Sequence, residues 1–199
     1  MRIPRFDAST RALHFTHAMI FIWLLITGVQ LFLTSSSLLA DPLIRKIHLY
    51  ASLPFVLLPA LIYVSAGPLL RQDMKELASL TNGDLKWFIG FLEMKKTYVK
   101  GKFNGGQKAN FLFSLTLITG LAFSGFVVWM KSMFSINFVE LNFMIHDTLA
   151  VVAIMVFSGH ILYSFYQSQS LHGIIFGSVE EEWARKHYPQ WSHKKEELK

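Results

Sequence analysis

The chain has no cysteine. It therefore offers no thiolate to an iron–sulfur cluster, no attachment point for a c-type haem and no disulfide. Charge is scarce: 16% of the residues are Asp, Glu, Lys or Arg, and no carboxylate falls at the centre of an apolar stretch. A zinc or copper transporter would want carboxylate or sulfur ligands near the membrane midplane, so that class is disfavoured. The first apolar run is too long for the core of a secretory signal and lacks an A-x-A-like cleavage site, so no cleaved signal peptide is expected. No internal repeat and no low-complexity segment is visible.

What remains is apolar. Hydrophobic residues make up 52% of the 199, and the mean hydropathy is +0.38. The uncharged runs between Arg11 and Asp41, Lys46 and Arg71, Lys108 and Lys131, and Asp147 and Glu180 each exceed the roughly 20 residues that a spanning helix needs. The expected fold is all-α: a polytopic four-helix membrane bundle forming a single membrane domain over residues 1–199. Its helices are expected at about 12–33, 47–70, 109–130 and 143–167, with a loop over 71–108 and a tail over 168–199. Pro54 and Pro59 predict a kink in the second helix. Asp84-Leu85-Lys86-Trp87-Phe88-Ile89-Gly90-Phe91 reads as a short amphipathic surface helix.

The net charge of +6 raises nucleic acid as a partner, but its distribution favours lipid. Lys and Arg gather in the N-terminal segment, the long loop (eight from Arg71 to Lys108) and the tail. These alternate segments place both termini in the cytoplasm by the positive-inside rule.

His146 and His160 are fourteen residues apart on the last apolar stretch. In a helix that is a rise of ~21 Å and a rotation about 40° short of four turns. They share a face that also carries Ala150, Ala153 and Phe157. His14 and His48 stand at the starts of two other stretches. By depth, His14 pairs with His160 at the inner end and His48 with His146 at the outer end. Two imidazoles on facing helices form an axial clamp for haem iron, with both axial positions filled and electron transfer as the outcome. The alternative is hydrogen bonding between helices. His17, three residues after His14, is a second candidate on the first helix. Gly28 is fourteen residues after His14, where a glycine lets a porphyrin pass the backbone; ordinary helix packing explains it equally. Arg11 and Arg45 flank the inner and outer ligands and suit haem propionates, or are the usual basic helix flank.

Several segments in the same order resemble the cytochrome b (gamma) subunit of respiratory formate dehydrogenase, a dihaem four-helix membrane protein. They are Arg11-Ala12-Leu13-His14-Phe15, Arg45-Lys46-Ile47-His48, Gly101-Lys102-Phe103-Asn104-Gly105-Gly106-Gln107-Lys108, Ile145-His146 with His160, and Trp183-Ala184-Arg185-Lys186-His187-Tyr188-Pro189-Gln190-Trp191. The resemblance selects His14 over His17 and implies two haem b. It implies His14 and His160 as ligands of the inner iron, and His48 and His146 of the outer iron. Phe15, Ser52 and Ala150 depart from the family pattern by small or aromatic replacements that bear on haem packing.

The resemblance also implies a quinone site, for menaquinone or a related quinone, bordered by Asn104, Gln107, Lys108 and His160. Read without it, Asn104 is a helix cap and Gly105-Gly106 a turn. Implied partners are an iron–sulfur subunit, docking around residues 35–45 and 131–140, and a catalytic molybdenum or tungsten subunit that performs the substrate chemistry. The implied location is a bacterial cytoplasmic (inner) membrane. The expected role is to carry electrons from the iron–sulfur partner across the membrane to quinone. Cytochrome anchors of related hydrogenases or thiosulfate and polysulfide reductases share the histidines, and a haem-free anchor is the reading of another class.

Overall fold

The computed structural model describes residues 1–34, 42–93, 99 and 101–196. The expected loop residues Ser35–Ser37 and Asp41, and the basic residues Lys95, Lys96, Lys100 and Lys199, lie outside them. Four helices carry the apolar runs: α1 (Ala8–Thr34), α2 (Pro42–Ser65), α5 (Gly105–Trp129) and α6 (Ile136–Tyr166). Between α2 and α5 lie α3 (Pro68–Leu77) and α4 (Asn82–Leu92), and after α6 come α7 (Ser168–Phe176), α8 (Glu181–His187) and α9 (Pro189–Glu196). Two three-residue strands, β1 (Arg2–Pro4) and β2 (Ser178–Glu180), pair antiparallel with Arg2 opposite Glu180.

Local chemistry sets the boundaries. Asp7 caps α1 by accepting from the Thr10 N–H at 2.8 Å, and Pro42 opens α2 where its missing N–H is no loss. The second helix, expected over 47–70, stops at Ser65 because Gly67-Pro68 intervenes. Gly67 is extended and Pro68 begins α3, as the restriction on residues before proline requires. Both α2 prolines are accommodated within one continuous helix. α6 begins seven residues earlier than expected, since no glycine or proline interrupts Ile136–Asn142. Helix α7 closes at Gly177, whose φ of +85° is left-handed. A side chain there would be strained, and its Cβ would lie 2.9 Å from the Phe6 carbonyl.

The chain divides into two compact units. One comprises Met1–Arg11, Ala66–Ser114 and Leu162–Lys199; the other comprises Ala12–Ser65 and Leu115–Ile161. The first, the ribbon unit, has a small core of Ile3, Val179 and Ala184, with Trp183 and Trp191 packed on it. Arg5, 4% exposed, is sandwiched by aromatic rings. Its guanidinium carbon lies 4.2 Å from the Tyr188 ring centre, 5.2 Å from Trp183, 5.4 Å from Trp191 and 5.5 Å from Phe6, a desolvated cation–π cluster. Its Nη2 donates to the Lys102 carbonyl at 2.8 Å.

The second, the bundle unit, holds the middle of the four long helices. Thr27, Phe55, Ser124, Val127 and Ala153 are buried. A chain of neighbouring rings runs His17–Phe55–Phe21–Phe157, with centres 4.2, 6.2 and 5.0 Å apart. Most large apolar side chains are exposed instead, among them Met19, Trp23, Ile26, Leu61 and Met155. A surface this apolar requires hydrocarbon as its solvent. Among the described residues, four helices are long and apolar enough to cross a membrane. The protein is a multi-pass membrane protein built as a four-helix α bundle, consistent with a bacterial inner membrane.

Candidate functional site

α1 and α2 each contribute one histidine, and α6 contributes two. The His14 and His160 rings have centres 6.2 Å apart and planes at 51°. The His48 and His146 rings have centres 6.4 Å apart and planes at 80°. The structure thus brings together the two pairs expected from depth. His17 turns to Phe55, 4.2 Å away between ring centres, and its Nε2 is buried with no hydrogen-bond partner. Among the described residues no group of three or more His, Cys, Asp or Glu could hold a metal ion; only the pairs face each other.

The His48–His146 pair is held from behind. Thr27 Oγ1 donates to its own helix, to Trp23 O at 2.9 Å or Leu24 O at 3.1 Å, and lies 2.8 Å from His48 Nδ1. Ser124 Oγ donates to Gly120 O at 2.7 Å and lies 3.1 Å from His146 Nδ1, which is also 3.1 Å from Leu121 O. Gly28, expected against a porphyrin, lies beside the His48 imidazole: a Cβ there would meet His48 Cε1 at 3.3 Å. Gly125 stands likewise beside His146, with a Cβ 3.2 Å from Cε1. Sequence reasoning missed Thr27, Ser124 and Gly125. The visible signal was a hydroxyl residue followed by glycine on the helix preceding each histidine helix.

In the ribbon unit, residues 101–108 tie α3 and α4 to the start of α5. Lys102 Nζ forms a buried ion pair with Asp73, and Glu76 Oε1 accepts from the Phe103 N–H at 3.0 Å. Asn104 Oδ1 accepts from Gln107 N at 2.8 Å and Gln107 Oε1 accepts from Asn104 N at 3.0 Å, a reciprocal capping box. Each amide thereby uses its oxygen on the backbone and keeps its NH₂ as the donor available to another carbonyl. Asn104 Nδ2 and Gln107 Oε1 each reach Tyr188 Oη at 3.5 Å. Gly105 and Gly106 admit Trp87, whose ring carbons would stand 3.2 and 2.9 Å from their Cβ atoms. Lys108, 6% exposed, pairs with Asp84 at 3.0 Å, so its charge is already matched.

The two carboxylates differ. Burial pushes the Asp73 carboxyl up, and the Lys102 charge only partly offsets it. Burial acts upward on Asp84 too, but hydrogen bonds from Thr81 and Lys108 and the Lys108 charge outweigh it, holding that carboxyl below its ordinary range. Arg11 lies beside Gly177, and Arg45 is exposed on the first turn of α2.

The cytochrome b556(Fdn) subunit of the nitrate-inducible formate dehydrogenase of Escherichia coli K12 is 28% identical over 116 residues, 54% of each chain. The corresponding b556(fdo) subunit is 31% identical over 94 residues, 46% of this chain and 44% of that one. The chain thus spans about half the length of these relatives. The formate dehydrogenase cytochrome b556 subunit of Haemophilus influenzae is 30% identical over 207 aligned positions, 96% of this chain and 82% of that protein. Residues 5–177 match the family described as prokaryotic cytochrome b561; that stretch takes in all four spans and every histidine of the two pairs, and the chain belongs to this family.

Proposed function

We propose that this chain is the dihaem b-type cytochrome subunit of a respiratory formate dehydrogenase, taking electrons from an iron–sulfur partner and delivering them to menaquinone or a related quinone. The observation that carries the reading is the spacing of the imidazoles. Two metal–nitrogen bonds of about 2 Å each, with about 1.1 Å from each nitrogen to its ring centre, would separate two imidazoles facing across one metal by about 6.2 Å between centres. The pairs stand at 6.2 and 6.4 Å. The donor set, two neutral imidazoles per site and no carboxylate or thiolate, suits low-spin haem iron. Two haems held this way would supply one-electron transfer along the bundle.

The chain's own residues do the rest. His14 and His160 would hold the inner iron, and His48 and His146 the outer one. Arg11 stands three residues before an inner ligand and Arg45 three residues before an outer one, and both would offset propionate charge. On the quinone side, the NH₂ groups of Asn104 and Gln107 would donate to a quinone oxygen, fixed in direction by the capping box. With positive loops inside, the termini are cytoplasmic, the iron–sulfur partner docks on the opposite side, and quinone takes its protons from the cytoplasm. A catalytic molybdenum or tungsten subunit would oxidise the substrate, leaving this chain as the quinone-reactive subunit.

A pyridine haemochrome assay with a redox-titrated visible spectrum tests the reading. Two low-spin b haems per purified chain are expected, and a chain isolated from its native membrane without haem overturns it. The complex recovered with the chain tests the assignment to formate: an iron–sulfur partner with formate-oxidising activity supports it, whereas a hydrogenase or sulfur-compound reductase replaces it.

A further inference from the structure

Leu24-Leu25-Ile26-Thr27-Gly28 on α1 and Leu121-Ala122-Phe123-Ser124-Gly125 on α5 make the same hydroxyl and glycine contacts with a histidine of the following span. We propose that this Leu-x-x-(Thr/Ser)-Gly element is an imidazole cradle, used twice. It fixes His48 and His146 as Nδ1–H tautomers and sets their strength as ligands. The inference rests on the dihaem reading for its effect on iron, but the tautomer is a property of the chain alone.

The proton position follows from counting donors. A hydroxyl has one hydrogen. Thr27 directs it to a carbonyl of its own helix, so toward His48 Nδ1, 2.8 Å away, it can only accept. Ser124 likewise donates to Gly120 O and can only accept from His146 Nδ1. Leu121 O, also at 3.1 Å from that nitrogen, can never donate. With the hydroxyl hydrogens so directed, both Nδ1 atoms carry the proton, and both Nε2 atoms keep the lone pair that binds a metal. An N–H that donates to oxygen also makes the imidazole more electron-rich.

The glycine is the third part. At Gly28 a Cβ would stand 3.3 Å from His48 Cε1 and 3.8 Å from Nδ1; at Gly125 the values for His146 are 3.2 and 3.4 Å. Any side chain would press the ring away from its hydroxyl by a few tenths of an ångström. The neighbouring Thr119-Gly120 pair has the same residue types but a different contact, since a Cβ on Gly120 would meet Leu149 Cδ1 at 2.8 Å. The hydroxyl and the glycine must both face one ring, and the dipeptide alone does not make the cradle. Thr27 and Ser124 are positioning residues in this scheme.

The test uses Thr27→Val, Ser124→Ala and the conservative Thr27→Ser in the full-length protein. Nitrogen-15 NMR of histidine in the haem-free chain reads the tautomer directly. Wild type should show protonated Nδ1 on His48 and His146; Thr27→Val should shift His48 toward a mixture, whereas Ser124→Ala leaves Leu121 O on His146 Nδ1 and should keep that tautomer. In the haem-loaded protein each should raise the midpoint potential of the outer haem and leave the inner one in place, with Thr27→Ser restoring the wild-type value. Gly28→Ala should change the low-spin electron paramagnetic resonance of the outer haem without removing it. An unchanged His48 tautomer in Thr27→Val, or an unchanged outer potential in both Thr27→Val and Ser124→Ala, overturns the cradle. If the wild-type chain binds no haem, the dihaem reading falls, and the NMR result alone decides the cradle. If Thr27→Val does not fold, Ser124→Ala tests the second copy independently.

Discussion

Lys108 Nζ sits 3.0 Å from Asp84 Oδ2 at the first turn of α5, with both side chains almost wholly withdrawn from water. Removing one member of such a pair strands the other charge. Asp84→Asn should destabilise the protein by about 3 kcal/mol, while Asp84→Leu with Lys108→Met should recover much of the loss. Thermal unfolding in detergent measures both. The pH dependence has a defined sign. The folded Asp84 carboxyl lies below its ordinary value, so its contribution is present above the unfolded value of about 3.9 and is lost as pH falls through the folded one. Asp73 is held above its ordinary value; its contribution is complete below that value and is lost as pH rises through the folded one. Acid unfolding should therefore become less steep in Asp84→Asn and steeper in Asp73→Asn.

Arg5 is expected to anchor the tail. Arg5→Ala should cost about 2 kcal/mol or more, since a desolvated cation–π contact alone is worth roughly that. Trypsin cleavage after Arg185 and Lys186 should accelerate. Arg5→Lys should recover only part of the protection, because an ammonium cannot lie flat against Tyr188 and the tryptophans as a guanidinium does.

The haem ligands should be separable. His14→Ala or His160→Ala should remove the inner haem, and His48→Ala or His146→Ala the outer one, each halving the haem content. Redox titration shows which component is lost. His17→Ala should retain both haems, because its ring meets Phe55 and not another histidine. Loss of the inner component in His17→Ala with retention in His14→Ala would exchange their roles.

The capping box sharpens the quinone test. Asn104→Ala loses both the cap, worth about 1 kcal/mol, and the amide donor. Asn104→Asp keeps the capping oxygen and exchanges the NH₂ donor for a charged acceptor oxygen. Quinone reduction by the assembled complex should slow roughly three- to tenfold in Asn104→Asp, the size of one hydrogen bond, with both haem spectra intact. A wild-type rate in Asn104→Asp would reduce Asn104 to a helix cap.

The spans were legible because their signal is compositional and long. A run such as Lys108 to Lys131 survives any uncertainty about neighbours. The histidine pairs were legible for a similar reason: helix rise turns a sequence interval into depth, and only rings at matching depth can meet. What stayed hidden depended on tertiary contacts. Nothing near Asp84 in sequence announces Lys108, and Trp87 gives no sign that it will fill the space beside Gly105 and Gly106. The α2 boundary was misplaced because apolar character continues through Leu69-Leu70, past the stop imposed by Gly67-Pro68. The short strands were missed because three residues are too few for an alternating pattern to show.

The ribbon between β1 and β2 imposes a parity rule on the whole chain. Arg2–Pro4 precedes the first span and Ser178–Glu180 follows the last, yet they hydrogen-bond to each other. Two segments can do so only on one side of a bilayer, so the chain between them must cross an even number of times. Any register error that left one apolar run uninserted would separate the strands by the thickness of the membrane. The pairing also orders assembly in time: the first strand has no partner until residue 180 has left the ribosome. The ribbon can therefore close only when the number of crossings between its strands is even.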